Sequence, residues 1–238
     1  MRLPTELLAL LACAAQAWAN TEIVNFDVSL SPDLPLPQAA AWPTLSPEAA
    51  EQLFHVTPAP LGASIADVCE PATLDSLGAC PHELWLALGT DAPPWDGFTK
   101  FTLRISWPAT SPADFHIDTF APDELVQRLR APHLAHVRLA ARGRTRRRFA
   151  RVRVVSTGVL TPSADGAHAR RAREPVSFVV RVEPLYFGVL PGSVVPVVLL
   201  LLAVAAAAGF VVRPVVQRRL EEVAGAVRAG RVREEKSE

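Results

Sequence analysis

The chain has 238 residues, and its 24 Lys and Arg balance its 24 Asp and Glu, so the formal net charge is zero. This balance excludes a strongly basic nucleic-acid binder, and a hydrophobic share of 50% excludes wholesale disorder. The length suits one ordinary domain with accessory segments, or two small domains.

The first hydrophobic block lies near the N-terminus. Residues 7–15 are uncharged and mostly Leu and Ala, and Ala17-Trp18-Ala19 has the small–x–small pattern that signal peptidase accepts. We predict a cleaved signal peptide over residues 1–19 and a mature start at Asn20. The alternative is an uncleaved signal anchor, but the apolar run is shorter than the ~20 residues that a spanning helix needs.

Residues 20–193 carry the pattern of a β domain. Apolar and polar side chains alternate with a period of two, which predicts half-buried strands, over residues 24–30, 101–107, 150–154 and 176–183. Weaker strands are predicted at 83–88 and 114–120, a short helix at 122–130, and one or two helical turns at 47–55. Short strands separated by prolines predict a mainly β fold, a compact antiparallel β-sandwich, in which the proline-rich stretch 31–95 is rich in loops.

Two cysteines remain in this domain once Cys13 has left with the signal peptide. Cys69 and Cys80 would lie in an oxidising compartment, where a disulfide between them is the natural expectation. Zinc is the competing interpretation, but it requires two further ligands and His82 is the only close candidate. The sequence has no N-x-Ser/Thr site, so no N-glycan is expected.

The charges of this domain are strongly polarised. Residues 20–127 contain 15 acidic and 2 basic side chains, whereas residues 128–183 contain 14 basic and 3 acidic ones. One interpretation is that the two halves neutralise each other within one folded domain. The other is that the Arg-rich run 142–148 binds anionic lipid or a phosphorylated lipid substrate. The sequence leaves open what the Arg-rich segment 142–153 does.

No common catalytic motif is present, and the titratable candidates are few. Asp114, His116 and Asp118 share one face of a predicted strand, a spacing that would suit metal binding or acid–base chemistry. The alternative is the polar face of a sheet whose other face carries Phe115 and Ile117. His133 and His136 could meet on a helix, but no carboxylate lies near them in sequence. We expect no catalytic residue, no metal and no cofactor.

The second hydrophobic block predicts a membrane span. Residues 194–212 contain no charged side chain and are long enough for a ~30 Å hydrocarbon core. Arg213, Arg218 and Arg219 follow, as expected for a cytosolic flank. A lipid-anchor signal is rejected, because 26 residues with twelve charges follow the block. The prediction is a single-pass type I protein with a lumenal domain over 20–193 and a cytosolic tail over 213–238, the tail forming a short solvated helix.

Three segments of the sequence resemble a known family. They are Asn20 to Phe26, the central run Phe101 to Phe120 and the run Glu183 to Pro196 that enters the span. Together they resemble the fungal co-activator subunit of glycosylphosphatidylinositol (GPI) mannosyltransferase II, a family similarly built from a signal peptide, a lumenal domain and one C-terminal span. The positions that carry the central resemblance most clearly are Arg104, Trp107, Phe115 and Asp118.

The resemblance implies a non-catalytic role in the endoplasmic reticulum membrane. The chain would be the partner of a multi-span catalytic subunit that uses dolichol-phosphate mannose to add the second mannose to the GPI precursor. Other interpretations of the sequence are an accessory subunit of the first GPI mannosyltransferase, a single-span lumenal cargo receptor or chaperone, and a lumenal hydrolase built on the Asp114 to Asp118 face. A cargo receptor should carry a sorting signal in its tail, yet no aromatic residue follows Phe210.

The approach to the span is the predicted partner-binding segment. Prolines in residues 186–198 would interrupt a helix at membrane depth, and the freed backbone groups would need a protein partner. The residues predicted to bind the partner are Tyr186, Phe187, Gly188, Leu190, Pro191, Gly192 and Pro196. The alternatives are that Tyr186 and Phe187 only sit at the membrane interface, or that a hairpin over 101–120 makes the contact.

Overall fold

The computed structural model describes residues 19–34, 36–73, 76–129, 143–158 and 174–235. The predicted signal peptide, apart from its last residue, lies outside the described residues, and so do His133, His136 and Arg142. The chain divides into two compact units, with the boundary between Pro191 and Gly192.

The first unit is mainly β, as predicted. Within its described residues, one sheet contains β1 (Ala19–Asp27), β4 (Glu51–Val56), β6 (Lys100–Pro108), β10 (Val176–Tyr186) and β11 (Leu190–Pro191). β6 pairs with β1 and β10, and β10 also pairs with β4 and β11. All of these pairings are antiparallel.

The second sheet has the strand order β3–β5–β9–β7. These strands are β3 (Thr44–Leu45), β5 (Glu83–Leu88), β7 (Ala113–Phe120) and β9 (Arg148–Ser156). The antiparallel prediction holds for β5–β9 and β7–β9, whereas the short β3 pairs with β5 in parallel. A third, two-stranded pairing joins β2 (Ser31–Pro32) to β8 (Arg144–Thr145), and α1 (Pro122–Arg128) follows β7.

Apolar side chains of both sheets meet in one core. The inward positions of β6, which are Phe101, Leu103, Ile105 and Trp107, pack in the same cluster as Phe115, Ile117 and Val152 of the second sheet. The ring centroids of Trp107 and Phe115 lie 4.4 Å apart, and those of Phe115 and Phe178 lie 4.9 Å apart. The period-two alternation seen in the sequence therefore marks the side chains that form this core.

Two predicted elements of this unit are wrong. The helical turns predicted at 47–55 are absent from these described residues, where β4 forms instead. Phe54 and Val56 point inward, whereas Leu53 and His55 stay exposed. The strand is held by its pairing with β10. Residues 101–120 form no hairpin. β6 lies in the first sheet and β7 in the second, so the turn between them crosses from one sheet to the other.

The second unit is helical. A 3-10 turn at Gly192–Val194 leads into α2 (Val195–Glu235), which continues without interruption from the predicted span into the predicted tail. Among the described residues it is the one helix long and apolar enough to cross a membrane, with a mean hydropathy of 2.8 over its most apolar window and none of that window buried. The predicted span therefore matches a helix, and the tail is the same helix rather than a separate one.

Candidate functional site

The outer face of the second sheet is built around Arg151 of β9, whose side chain is fully buried. Its Nε lies 2.7 Å from Oε2 of Glu83, and its Nη1 lies 2.5 Å from Oε1 of Glu70. Its Nη2 donates to the carbonyl oxygen of Cys69 over 2.9 Å. A guanidinium has five N–H donors and no acceptor, so this ring of oxygens satisfies it in the way that a buried cation requires.

Glu83 and Trp85 of β5 complete this arrangement. The indole Nε1 of Trp85 donates to Oε1 of Glu83 over 2.8 Å, and the guanidinium carbon of Arg151 lies 5.4 Å from the centre of the Trp85 ring. Both oxygens of Glu83 are thus occupied, one by the indole and one by the guanidinium. Among the described residues these contacts form a structural ion-pair network on the outer face of the sheet.

Glu70 links the network to the disulfide loop. Its carboxylate accepts hydrogen bonds from Arg151, from Arg128 over 3.3 Å and from the backbone N–H of Ala72 over 3.0 Å. Burial acts to raise the pKa of Glu70, but the hydrogen bonds from Arg151, Ala72 and Arg128 outweigh it and lower the pKa to about 2. Glu70 is therefore held ionised and is a poor proton donor at neutral pH.

The predicted Cys69–Cys80 disulfide is present, with Cα atoms 5.9 Å apart. The loop that it closes carries Glu70 directly after Cys69, and Val68 packs with Ala59 and with Val155 of β9. The disulfide therefore fixes a loop that covers the outer face of β9.

Of the Asp114, His116 and Asp118 face, Asp118 joins the same network through Arg153, whose Nη1 lies 4.0 Å from Oε1 of Glu70, whereas Asp114 lies exposed on β7. Asp118 Oδ2 accepts from Nη2 of Arg153 over 2.9 Å, and His116 Nε2 lies 3.4 Å from Asp118 Oδ1. Phe115 and Ile117 point into the core, as the polar-face interpretation requires. No cluster of three or more His, Cys, Asp or Glu suited to a metal ion occurs among the described residues.

The described part of the Arg-rich run is bonded within the first unit. Arg147 pairs with Asp33 at 2.6 Å, and Arg148 is buried, donating to the carbonyl oxygens of Asp27 and Ser29. Arg146 donates to the carbonyl oxygens of Asp96 and Phe98. These contacts favour the interpretation that the acidic and basic halves neutralise each other.

The four positions that carry the central resemblance do not form one site. Trp107 and Phe115 meet in the core, whereas Asp118 lies on the outer face of the second sheet. Arg104 lies on the other sheet, opposite Ile23 of β1 and Arg181 of β10. Two of the four positions therefore belong to the core between the sheets, and the other two lie on the outer faces of different sheets. Arg104 is partly exposed.

The predicted partner-binding segment before the candidate span is a hairpin followed by the start of a helix. Leu185 pairs with Pro191, and Tyr186 pairs with Leu190, so Phe187, Gly188 and Val189 form the tip. The ring of Tyr186 packs on Phe98 at 5.0 Å. Beside the tip, Lys100 and Asp27 form an exposed ion pair at 3.9 Å and line a cleft of about 150 Å³ with Asn25, Phe26, Leu185 and Gly188.

The backbone argument for the partner-binding segment needs correction. Pro191 lies in β11, outside any helix, and Pro196 is the second residue of α2, a position where the missing N–H has no helical acceptor to lose. Neither proline therefore frees backbone groups at membrane depth. The proline inside α2 is Pro214, directly after Arg213. Partner binding by residues 186–198 stays a prediction, resting on their exposure and position.

Comparison of the chain with protein-family models, curated proteins and solved structures finds no match in any of the three. The functional argument therefore depends on the residues and their geometry, together with the resemblance of three segments.

Sequence reasoning did not identify Glu70, Glu83 and Arg128 as members of one network. The signal that could have pointed to it is the charge polarisation, since a basic strand between acidic segments needs buried counter-ions. The pairing itself depends on the fold of the 57–82 loop, which has no periodic pattern.

Proposed function

We propose that this protein is a non-catalytic accessory subunit of a GPI mannosyltransferase II complex in the endoplasmic reticulum membrane. The observation that supports this most is the placement of the three resembling segments. Asn20 to Phe26 lies in β1, Phe101 to Pro108 lies in β6 and Glu183 to Tyr186 ends β10, which are neighbouring strands of one sheet, whereas residues 113–120 of the central run form β7 of the second sheet. Phe101 pairs with both Phe26 and Pro184, so parts of all three segments meet at this position.

The absence of an evident reaction centre in the described part of the first unit agrees with an accessory role. Of the spaced set on β7, Asp118 pairs with Arg153 and Asp114 lies exposed, and Glu70 of the neighbouring loop pairs with Arg151. We also propose that the two sheets face each other as a β-sandwich, which their shared core supports. A rigid β unit of this kind would hold a partner enzyme through its surface.

The proposed topology is single-pass type I, with the first unit in the lumen and the Arg-rich end of α2 in the cytosol. The Arg213, Arg218 and Arg219 flank supports it through the positive-inside rule. In this orientation the membrane-proximal segment lies where a multi-span enzyme would present its lumenal loops. Its partner-binding role, from Tyr186 to Val198, is part of the proposal.

Lipid analysis of cells that lack this protein tests the function. Loss of the second mannosylation should make a GPI precursor carrying one mannose accumulate, detected by inositol labelling and chromatography. Re-expression of the full chain should restore longer precursors. Accumulation of a precursor without mannose would point to the first mannosyltransferase instead. A normal precursor profile combined with retention of selected secretory proteins would favour a cargo receptor or chaperone and overturn the proposal.

A further inference from the structure

The tip of the hairpin over residues 185–191 exposes apolar side chains that nothing in the described part of the first unit covers. Phe187 is 98% exposed and Val189 is 77% exposed, while Tyr186 is 40% exposed. A single exposed apolar residue is ordinary, but an almost fully exposed phenylalanine beside two further apolar side chains is not.

The backbone of the tip is held in a conformation that a phenylalanine normally avoids. Phe187 has a φ of 54° and Gly188 a φ of 75°, and the N–H of Val189 donates to the carbonyl oxygen of Tyr186 over 3.2 Å. Two successive positive φ angles closed by this hydrogen bond match a type I′ hairpin turn, whose first central position favours Asn, Asp or Gly. A bulky residue there is disfavoured, so the fold accepts strain to present this side chain outward.

The covalent chain keeps the tip close to the start of α2. From Leu190 to Gly192 the chain covers at most about 7 Å in extended form, and the 3-10 turn at Gly192–Val194 adds about 6 Å. If α2 spans a bilayer, its apolar part begins at this end. The tip is then tethered within a few residues' reach of the interface, which is about 5–8 Å thick on each side of the hydrocarbon core.

The size and chemistry of the tip fit lipid better than a protein partner. An aromatic side chain offers about 150–250 Å², and because Tyr186 is only 40% exposed, these two aromatic residues together with one valine stay below the ~800 Å² per partner of a standard protein interface. Lys100 runs beside the tip, since a Cβ at Gly188 would lie 3.3 Å from its Cδ, and its ammonium is paired with Asp27. Aromatic rings next to a lysine are typical of the headgroup layer.

We propose that the hairpin tip, formed by Tyr186, Phe187 and Val189, inserts into the headgroup layer of the bilayer that α2 spans. The side chain of Phe187 inserts into the headgroup layer, and Tyr186 connects the inserted tip to the first unit through its ring contact with Phe98. With the tip in lipid, the partner contact proposed for Tyr186 to Val198 is carried by the residues after the tip, Leu190 to Val198. The assignment requires α2 to be a span, but it does not depend on the identity of the partner enzyme.

Fluorescence of a labelled full-length chain tests this insertion. Phe187→Cys is labelled with the environment-sensitive dye NBD, and the purified chain is placed alone in phosphatidylcholine nanodiscs. The matched control is Leu61→Cys, because Leu61 is also an exposed apolar residue of the first unit, at 57% exposure, but lies in the loop that follows β4. The native Cys69 and Cys80 are joined in the disulfide and do not take the label, and Cys13 of the predicted signal peptide is replaced by alanine in every variant. Val189→Cys provides a second tip position.

At both tip positions we expect blue-shifted emission, iodide quenching several-fold weaker than at position 61, and quenching by lipids with a shallow nitroxide label. Iodide quenching equal to that at position 61 would overturn the proposal. Protection that appears only in native membranes, and not in nanodiscs holding this chain alone, would also overturn it, because a protein rather than lipid would then cover the tip.

Discussion

Arg151 is the largest side chain among the fully buried ones of the described residues, and it is charged. A buried arginine is tolerated only where its donors are satisfied and its charge is balanced. Here Glu83 and Glu70 supply the balance, and the carbonyl of Cys69 and the ring of Trp85 fill the remaining contacts. Through its bonds to Glu70 and Cys69, Arg151 holds the disulfide loop against β9.

Replacing Arg151 with methionine should be strongly destabilising. The change leaves Glu83 buried without its cation, which costs about 3–5 kcal/mol of unfolding free energy. The same replacement at Arg144, an exposed residue that donates one long hydrogen bond to Leu30, should change stability by less than about 0.5 kcal/mol. Chemical unfolding of both full-length variants in mild detergent measures the difference. Equal stability of the two variants would show that the network contributes little.

Acid should weaken the first unit through Glu70. Its pKa is about 2 in the folded state against an ordinary value of 4.5, so ionised Glu70 favours folding. This contribution is fully present above pH 4.5 and is lost as the pH falls from about 4.5 towards 2. Denaturant midpoints measured across this range should fall for the natural chain, with a shallower fall for Glu70→Gln. Parallel curves for the two proteins would contradict this role of Glu70.

At the scale of elements, the strands were predictable and their assembly was not. Alternating runs such as 101–107 and 150–154 correspond to β6 and β9, because a strand buried on one face repeats every two residues. The same rule predicted β9 to be half-buried, yet Arg151 and Arg153 are buried by the 57–82 loop. The helical turns predicted at 47–55 are wrong, because Glu51 to Val56 extend as β4 and pair with β10, a partner more than 100 residues away in sequence.

The partition of strands between sheets has no local signature. β6 and β7 are separated by a short proline-containing turn that would suit a hairpin, but they pair with different strands. Which strand pairs with which depends on contacts between residues far apart in sequence, such as Leu103 with Val182 and Phe115 with Val154. The network on the outer face could not be predicted for the same reason, because Glu70 and Arg151 are 81 residues apart.

The disulfide should stabilise the covering loop and the unit beneath it. Closing a loop with a sequence separation of 11 is worth about 3 kcal/mol in the chain-entropy model. The double variant Cys69→Ser/Cys80→Ser should lose about that much unfolding free energy. In the natural chain, thiol labelling under denaturing, non-reducing conditions should find neither cysteine free. Full labelling of both would contradict the pairing.

Although the whole chain has no net charge, residues 20–127 are strongly acidic and residues 128–183 are strongly basic. Within the first unit, ion pairs connect the acidic half to the basic half, including Glu70–Arg128, Asp33–Arg147, Glu83–Arg151, Asp118–Arg153 and Glu51–Arg181. The second unit adds the candidate span. Among the described residues, these ion pairs join parts of the chain that are far apart in sequence, whereas Phe187 and Val189 of the hairpin tip stay exposed.

Co-purification tests whether this protein is an accessory subunit of a mannosyltransferase complex. The tagged full-length chain is extracted in mild detergent, and the proteins that accompany it are identified by mass spectrometry. We expect a multi-span mannosyltransferase in stoichiometric amount, and we expect it to be lost when residues 186–198 are replaced by an unrelated membrane-proximal sequence at normal expression. Retention of the enzyme by that variant would move the contact to the β unit. Recovery of the natural chain without any mannosyltransferase would contradict the proposed accessory role.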